Sequence, residues 1–476
     1  MISRRTSCFT GRKLCKSLVI SLLFLSLTYI FLSNHPCCKT SKPFSTYLKL
    51  KQRKGMTPPN YVTNISHIFF GIAGSSKAWN NRKSYIQSWW RPNITRGLIF
   101  MERSPTEHFP WASTFPPFHV SEDNSKYKHY NKHLPFVIRI TRMIEEAFNA
   151  QSKGVRWYVM ADDDTILFVD NLVEVLSKYD HRKYYYVGMR SESIVSNCLN
   201  SFDMAFGGGG YALSYPLAKA VARNMDSCIK RYPTLFGSDH IMQSCIADLG
   251  VSLTQEKGFH QIDLHRDISG FLSAHPQSPL LSLHHLEAIE PIFPSMNRYD
   301  SLNHLMKAAK IDQSRLLQQS ICYYKKNNWT FSVSWGYSVQ IYENIIPPSF
   351  LYRPLETFIP WKNGASPPYM FNARSVSSVD PCGFPHFFLF SNVDENRVMD
   401  HIVTSYKRKS PRGLPTCVSN GSHSADYVSK IRILSPVKKY IWHDGSRREC
   451  CDIVQLVGMD SMAIKLRDCM NDEIIA

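Results

Sequence analysis

The stretch VRWYVMADDDTILFVD, residues 155–170, decides the fold. Its apolar run Val155–Met160 predicts a buried strand, and three consecutive acids, Asp162–Asp164, follow where that strand ends. In open α/β sheets, ligands bind at the carboxyl ends of the strands, so these acids lie where a site is expected. Adjacent like charges are tolerated best when a divalent cation with hard oxygen ligands neutralises them, although a solvated acidic turn is the alternative.

Hydrophobic spacing around this stretch predicts an alternation of strands and helices. Strands are predicted over 67–73, 97–102 and 184–188, and helices over 77–90, 134–150, 171–179 and 216–231, with Asp170 as the N-cap of the third helix. Because such alternation implies a parallel sheet with helices on its faces, the predicted fold class is α/β.

The N-terminal 62 residues have a pattern of their own. Residues 1–16 are short and basic, 17–38 carry no charge and are largely apolar, and 39–62 are polar and basic with three prolines. The pattern favours a cytosolic tail, a transmembrane signal anchor and a stem, giving a single-pass type II protein. A cleaved signal peptide is the alternative, but the residues after Leu32 make a poor cleavage site.

The composition indicates which kinds of partner and which cellular compartment to expect. The net charge of +18 is compatible with nucleic acid, but the basic residues are scattered and no zinc-finger or RNP-like spacing occurs, so no nucleic-acid partner is expected. Thirteen cysteines without metal-finger spacing predict disulfides beyond residue 40, which is typical of a secretory protein. Four sequons, at Asn64, Asn93, Asn328 and Asn420, predict glycosylation if the chain enters that pathway.

Three further segments carry candidate functional residues. The glycines at 207–210 permit close backbone approach to a ligand, with a flexible turn as the alternative. Asp239 near the start of a helix is a candidate general base or a simple helix-dipole partner. The five histidines between 259 and 285 raise the expectation of a metal ligand among them.

From about residue 299 the chain changes character, and 299–476 is predicted to be a β-rich, disulfide-braced C-terminal module. The segments 331–343, YIWHD (440–444) and DIVQLV (452–457) each favour a strand. The module carries no catalytic constellation, so a packing or acceptor-binding role is expected for it.

Over about residues 64–295 four motifs occur in this order: a strand followed by DDD, then GGGGYALS, GSD and HHLE. In this region the sequence resembles the Fringe-related glycosyltransferases, and these motifs carry the resemblance. The sequence is most similar to the plant branch of that superfamily, which has been catalogued as a domain of unknown function. The resemblance implies a GT-A fold over 63–298 and an inverting transfer of a hexose or N-acetylhexosamine from a UDP-sugar. The acceptor would be a glycan or glycoprotein hydroxyl, and the linkage formed would be of the β1,3 type. The protein would be located in the Golgi membrane.

The resemblance also implies roles for individual residues. Asp164 and His285 would hold Mn²⁺ or another divalent cation, with His284 as the alternative ligand. The donor would lie against the following residues of the acid and glycine segments: Asp162, Asp163, Gly208 and Gly209. The family's general base falls on Asp239, although His240 stands where some relatives carry a second acid.

These residue types suit the chemistry, since one metal-binding carboxylate can stabilise the departing UDP while a separate carboxylate takes the acceptor proton. Two alternatives remain at this level. One is a catalytically idle, lectin-like or scaffold protein that keeps the fold, and the other is a metal-dependent hydrolase, for which no paired-metal spacing is present.

Overall fold

The structure is a computed structural model, and it describes residues 62–127, 135–150, 153–396, 400–417, 424–437, 439, 442, 447–455 and 460–475. Residues 61–476 form one compact unit. The predicted tail (1–16), anchor (17–38) and nearly all of the stem (39–62) lie outside the described residues. Within the described part of the chain, no helix is both long and apolar enough to cross a membrane.

The first sheet has seven strands in the order β3-β2-β1-β4-β7-β6-β8. Its strands are β1 (Ile68–Ala73), β2 (Arg96–Met101), β3 (Phe118–Val120), β4 (Trp157–Asp162), β6 (Tyr186–Gly188), β7 (Tyr211–Ser214) and β8 (Leu253–Gln255). β1, β2 and β4 are parallel, as predicted, and β3, which was not predicted, is parallel to β2, but β7 runs antiparallel to both of its neighbours. The fold is therefore mixed α/β, and the prediction of a purely parallel sheet was wrong because the YALS segment was not recognised as a strand.

Helices cover both faces of this sheet. The described α-helices are α1 (Trp79–Trp89), α2 (Pro135–Ala150), α3 (Val169–Ser177), α4 (Ile194–Leu199), α5 (Tyr215–Arg231), α6 (Ser238–Ala247), α7 (Ser269–Ser273), α8 (Arg298–Ile311) and α9 (Pro348–Leu351), the last of which packs instead against the C-terminal part. Successive residues of β4 alternate between two apolar clusters, so Val159 packs in one and Met160 in the other. This period of two in a fully buried strand shows that the sheet is the central layer.

One predicted boundary differs from the structure. Helix α3 begins at Val169 and its N-cap is Phe168, so Asp170 lies inside the first turn instead of capping it. Both oxygens of Asp170 accept hydrogen bonds of 2.7 Å from Arg91, and the amide of Asp170 donates one of 2.8 Å to Gln313.

The second sheet has eight strands in the order β11-β12-β13-β15-β16-β17-β19-β18. They are β11 (Gln319–Tyr324), β12 (Trp329–Ser334), β13 (Ser338–Tyr342), β15 (His386–Asn396), β16 (His401–Arg408), β17 (Lys430–Pro436), β18 (Cys450–Gln455) and β19 (Ser461–Arg467). Its apolar residues join the cluster on one face of the first sheet, so a single core connects the two sheets. Short ladders complete the fold, with β5 (Ile166–Leu167) on β10 (Ser282–Leu283) and β9 (Leu264–Arg266) on β14 (Phe358–Pro360).

The C-terminal strands differ from prediction in two places. The predicted single strand over 331–343 is a hairpin of β12 and β13, which turns at Gly336 with a φ of 75°. Burial on both faces hid this turn, because the apolar pattern runs through it without a polar break. The prediction for DIVQLV is met by β18, whereas YIWHD lies mostly outside the described residues and Trp442 is not in a strand.

Four disulfides confirm the predicted use of cysteine: Cys228–Cys245, Cys322–Cys451, Cys382–Cys417 and Cys450–Cys469. Three of them lie in the C-terminal part, and Cys322–Cys451 joins β11 to β18, the two edge strands of the eight-stranded sheet. Covalent closure of this kind restrains the unfolded chain and protects exposed sheet edges. Among the described cysteines, Cys198 is unpaired and exposed.

Candidate active site

The acidic turn is built by the end of β4. Asp162 is the last residue of that strand and pairs with Ala73 of β1, so the turn lies at the carboxyl ends of parallel strands. The hydroxyl of Thr165 closes the turn, because it accepts a hydrogen bond from the Asp162 amide and donates one of 2.6 Å to the Gly208 carbonyl. This threonine therefore joins the acidic turn to the glycine segment.

His284 reaches the acids through a short antiparallel ladder. In that ladder Leu283 is paired with Ile166, so the next residue along, His284, comes opposite the acidic turn. Its Nε2 atom lies 3.1 Å from Oδ1 of Asp164 and 3.8 Å from Oδ2 of Asp162. Asp162, Asp164 and His284 each offer one ligand atom, and these atoms all lie within 4.8 Å of one another.

His285, the first choice of metal ligand from the sequence, points elsewhere. Its backbone adopts a φ of 53°, and its Nδ1 lies 3.1 Å from Oδ1 of Asp263. The positive φ breaks the continuation of the strand, so the two adjacent histidines serve different partners. The structure thus corrects the sequence prediction: the histidine beside the acids is His284, which the sequence left as the alternative.

The donor set fits a divalent cation of the manganese type. Two carboxylates and one imidazole are hard-to-intermediate ligands of the kind that Mn²⁺ accepts. Burial lowers the pKa of His284, although Asp164 opposes the shift, and this favours the neutral ring that a metal requires. For Asp164, burial alone would raise the pKa, but the hydrogen bond with His284 and the charge of Arg82 outweigh it and lower the pKa to about 2. The site thus presents an ionised carboxylate beside a neutral imidazole.

The glycine segment leaves room for side chains of the neighbouring segments. A Cβ atom built on Gly208 would overlap the ring of His284, and one built on Gly207 would overlap the carboxylate of Asp239. The Gly209 amide donates a 2.7 Å hydrogen bond to Gln261, and its carbonyl accepts one from Ser282. The predicted donor contact of Gly208 and Gly209 stays a prediction. The structure shows that a side chain at these positions would overlap or crowd neighbouring residues.

Arg82 of α1 binds the acidic turn from outside. Its guanidinium lies 2.8 Å from Oδ1 of Asp163 and 3.0 Å from Oδ2 of Asp164. The second oxygen of Asp163 accepts a 2.9 Å hydrogen bond from the Ser75 amide, so both of its oxygens are held by protein donors. Burial raises the pKa of Asp163 to about 6, although Arg82 opposes the shift. Asp163 therefore connects the turn to the β1–α1 loop, and the donor contact predicted for it stays a prediction.

Asp239 approaches the site from the first turn of α6. Its Oδ2 accepts a 2.8 Å hydrogen bond from the Gly207 amide. Asp162, Gly207 and Asp239 line the same small cavity, and the charge of Asp239 contributes to raising the pKa of Asp162 after burial and the charge of Asp164. Burial raises the pKa of Asp239 itself against the opposing Gly207 hydrogen bond. A buried carboxylate with a raised pKa is suited to accept a proton.

A larger cavity of about 550 Å³ is lined by Ser75, whose amide donates a hydrogen bond to Asp163, but by no residue of the acidic turn itself. Its lining includes Ser75 after β1, Glu102 after β2, Ser121 after β3 and Arg139 of α2. The carboxyl ends of three parallel strands thus open into one volume, and its size falls within the range of small-molecule and cofactor sites.

Three of the four predicted glycosylation sites lie within the described residues. Asn64, Asn93 and Asn328 are all exposed, and Asn93 and Asn328 have positive φ angles of 63° and 54°. Asn420 lies outside the described residues. Glycosylation of these positions stays a prediction.

The contacts that Arg82, Thr165 and Gly207 make at the site were not predicted from the sequence. Arg82 is one of several basic residues in a helical segment, and nothing in its spacing marks it. Gly207 was included in the glycine run, but its contact with Asp239 depends on a fold that joins distant segments. The Thr directly after DDD was the one local signal available, since a hydroxyl there can close an acidic turn.

Fold and site together define a mixed α/β protein with a carboxylate–imidazole cluster at the carboxyl ends of parallel strands, beside a cavity of ligand size. The chain belongs to the family described as "Protein of unknown function, DUF604", whose model matches residues 196–451, more than half of the chain. The Fringe-like family model matches residues 63–291, which confirms the resemblance seen in the sequence. Every cluster residue lies within 63–291.

Curated relatives are glycosyltransferases by name. The chain is 28% identical over 119 residues to a beta-1,3-glucosyltransferase of Mus musculus, covering 25% of this chain and 23% of the relative. It is 25% identical over 221 residues to the beta-1,3-N-acetylglucosaminyltransferase lunatic fringe of Danio rerio, covering 43% of this chain and 56% of the relative. The chain thus spans between about a quarter and just over half of the length of these relatives. Both are animal proteins, so membership of the plant branch stays a prediction.

Among solved structures, the mannosyltransferase PcManGT from Pyrobaculum calidifontis, in complex with GDP-Man and Mn²⁺, is similar at 10% identity and a TM-score of 0.26. The match covers 40% of this chain and 55% of that one. Structural similarity at this level supports no conclusion about the site.

Proposed function

We propose that the protein is an inverting, metal-dependent glycosyltransferase with a GT-A catalytic domain. It transfers a hexose or N-acetylhexosamine from a UDP-sugar to a glycan or glycoprotein hydroxyl, in a β1,3-type linkage. The observation that carries the proposal is the convergence of Asp162, Asp164 and His284 at one sheet edge, with Asp239 across a shared cavity. The glycosyltransferase names of the Fringe-like relatives support the same reading.

In the proposed reaction, Asp162, Asp164 and His284 would hold Mn²⁺. Such an ion would supply positive charge that stabilises the departing UDP. The nucleotide lies in the 550 Å³ cavity, where the carboxyl ends of β1, β2 and β3 meet. Arg82 keeps Asp163 and Asp164 in place and brings a second positive charge close to the diphosphate position.

Asp239 takes the proton of the acceptor hydroxyl. The acceptor oxygen forms a bond to the anomeric carbon from the face opposite the diphosphate, the bond from that carbon to the phosphate oxygen breaks, and UDP departs with the electron pair. One displacement inverts the anomeric centre. The Gly207 amide fixes the carboxylate of Asp239 for this role.

We further propose that the protein is a type II protein of the Golgi membrane with its catalytic body in the lumen. The uncharged segment 17–38 supports an anchor, and four disulfides support an oxidising compartment. Confocal localisation of a tagged full chain against Golgi and endoplasmic reticulum markers tests this part separately.

The test of activity is UDP release from a panel of UDP-sugars by the purified full chain, with Mn²⁺ and with a chelator. The expected result is metal-dependent release with one donor. A folded protein that neither releases UDP nor binds any UDP-sugar would overturn the proposal. Donor binding without release with any offered acceptor would favour the idle, lectin-like alternative.

A further inference from the structure

The C-terminal part of the chain contributes an aromatic residue next to the carboxylate–imidazole cluster. Trp361 follows β14, and β14 pairs with β9, so that Ile359 lies opposite His265. The ring of Trp361 stacks on His265 at a centroid distance of 4.5 Å and on His285 at 4.6 Å, with interplanar angles of 13° and 4°.

The contacts continue to the proposed metal ligand. The ring of His285 lies 3.9 Å, centroid to centroid, from the ring of His284. His265, Trp361, His285 and His284 therefore form a column in which each ring contacts the next. We call these four residues the ring column.

The ring column matters because His284 lacks the usual support of a metal-binding histidine. Such histidines generally donate their second ring N–H to a fixed acceptor, which orients the ring. The Nδ1 atom of His284 is buried and has no hydrogen-bond partner among the residues that the structure describes. Apart from the contact of its Nε2 atom with Asp164, its orientation therefore depends on packing against Gly208 and against His285.

His285 is itself fixed from two directions. Its Nδ1 hydrogen-bonds to Asp263, whose other oxygen accepts a 2.5 Å hydrogen bond from Ser191. Its ring lies against Trp361. Because the backbone of His285 is held in the left-handed region, which costs energy for a residue with a side chain, these contacts must keep it there.

We propose that Trp361 is a positioning residue for the metal site: through His285 it holds the imidazole of His284 at the angle that Asp162 and Asp164 require. The inference rests on the proposed function, since it presumes that His284 binds the metal. It assigns the C-terminal part a supporting role at the metal site, although that part contains no ligand of the cluster.

The test is direct Mn²⁺ binding to the purified full chain, measured by calorimetry and by electron paramagnetic resonance of free Mn²⁺. Trp361→Ala is expected to weaken Mn²⁺ affinity by about 10-fold, at the low end of what loss of a supporting partner costs. Trp361→Phe, which keeps an aromatic face, is expected to restore most of the affinity. Phe350→Ala, an aromatic truncation at a half-exposed position of the same region, is expected to leave it unchanged.

The outcomes separate the two proposals. If the wild-type chain binds no Mn²⁺, the metal-dependent function fails, and the inference fails with it. If the wild type binds Mn²⁺ and Trp361→Ala binds within twofold of it, the function stands and the inference is overturned. Should Trp361→Ala not fold, Trp361→Leu against Trp361→Phe gives the same comparison, with weaker Mn²⁺ binding expected for leucine and equal binding contradicting the inference.

Kinetics provide a second readout that a general loss of stability would not produce. Trp361→Ala is expected to raise the Mn²⁺ concentration needed for half-maximal UDP release, while the KM for the acceptor stays unchanged at saturating metal. An equal rise in both quantities would contradict a role limited to the metal site.

Discussion

His284 places Nε2 at 3.1 Å from Oδ1 of Asp164, although 120 residues separate the two in the sequence. The contact depends on a two-residue ladder between β5 and β10, which aligns the end of one segment with the start of the other. A short ladder is sufficient here because Gly208 leaves room for the imidazole and Thr165 fixes the turn. The carboxylate–imidazole cluster is thus assembled from three segments of the chain.

Asp164→Asn is expected to weaken Mn²⁺ binding by at least about 100-fold and to abolish UDP release. The substitution keeps the shape of the side chain but removes the negative charge that a hard cation requires. Calorimetric titration with Mn²⁺ measures the effect. Asp170→Asn, which loses the same charge at an ion pair with Arg91, is the matched control and should bind Mn²⁺ as the wild type does. Full metal affinity in Asp164→Asn would remove this residue from the site.

Gly208→Ala tests the packing of His284. The added Cβ would overlap the imidazole, so the ring must turn away from the acids, and we expect Mn²⁺ affinity to fall by about 10-fold or more. Gly237→Ala is the control, because the nearest atom to its added Cβ lies at an ordinary contact distance of 3.5 Å. Equal Mn²⁺ affinity in the two folded variants would show that the ring tolerates the methyl group.

Asp239→Asn separates the proposed base from the metal site. Asparagine can still accept the hydrogen bond from the Gly207 amide, so the local structure and Mn²⁺ binding should persist. The rate of sugar transfer should fall by roughly 10²- to 10⁴-fold, the usual contribution of general base catalysis. The control is Asp248→Asn at the end of the same helix, where the carboxylate pairs with Arg231. Unchanged transfer by Asp239→Asn would mean that another group takes the proton.

The sequence predicts those parts of the site that follow from a local pattern. Asp162 and Asp164 were found because a buried strand ends at them, and Asp239 because it lies near the start of a helix. The choice between His284 and His285 could not be made in this way. It depends on one backbone angle, the φ of 53° at His285, which arises from tertiary contacts with Asp263 and Trp361.

The same limit applies to the fold. Strands β1, β2 and β4 were predicted because each is an uninterrupted apolar run with a helix after it or before it. β7 was not, since its four residues follow the glycines directly and its antiparallel direction is set by pairing with β4 and β6. In the C-terminal part, the composition predicted a β-rich module. Only the pairing of β12 with β13 shows that 331–343 forms a hairpin.

A buried acid outside the site has a consequence for stability. Only 2% of the side chain of Glu146 on α2 is exposed, and one of its oxygens lies 3.3 Å from Nε2 of His119. Neither of these two atoms has a hydrogen-bond partner within the described part of the chain. Burial raises the pKa of Glu146 from 4.5 to about 7, although Arg142 opposes the shift.

Because the pKa of this acid is higher in the folded state, folding is favoured when Glu146 is protonated, and stability is lost as the pH rises from about 4.5 to about 7. Glu146→Gln resembles the protonated form, so its stability relative to the wild type should increase over that interval, by at most about 3 kcal/mol. Urea unfolding at about pH 5 and about pH 8 measures the difference, in which the titration of groups distant from Glu146 cancels. Glu145→Gln, on the same turn and paired with Arg142, controls for the loss of one charge. A relative stability of Glu146→Gln that stays constant with pH, or falls as the pH rises, would mean that Glu146 is ionised at no cost in the folded protein.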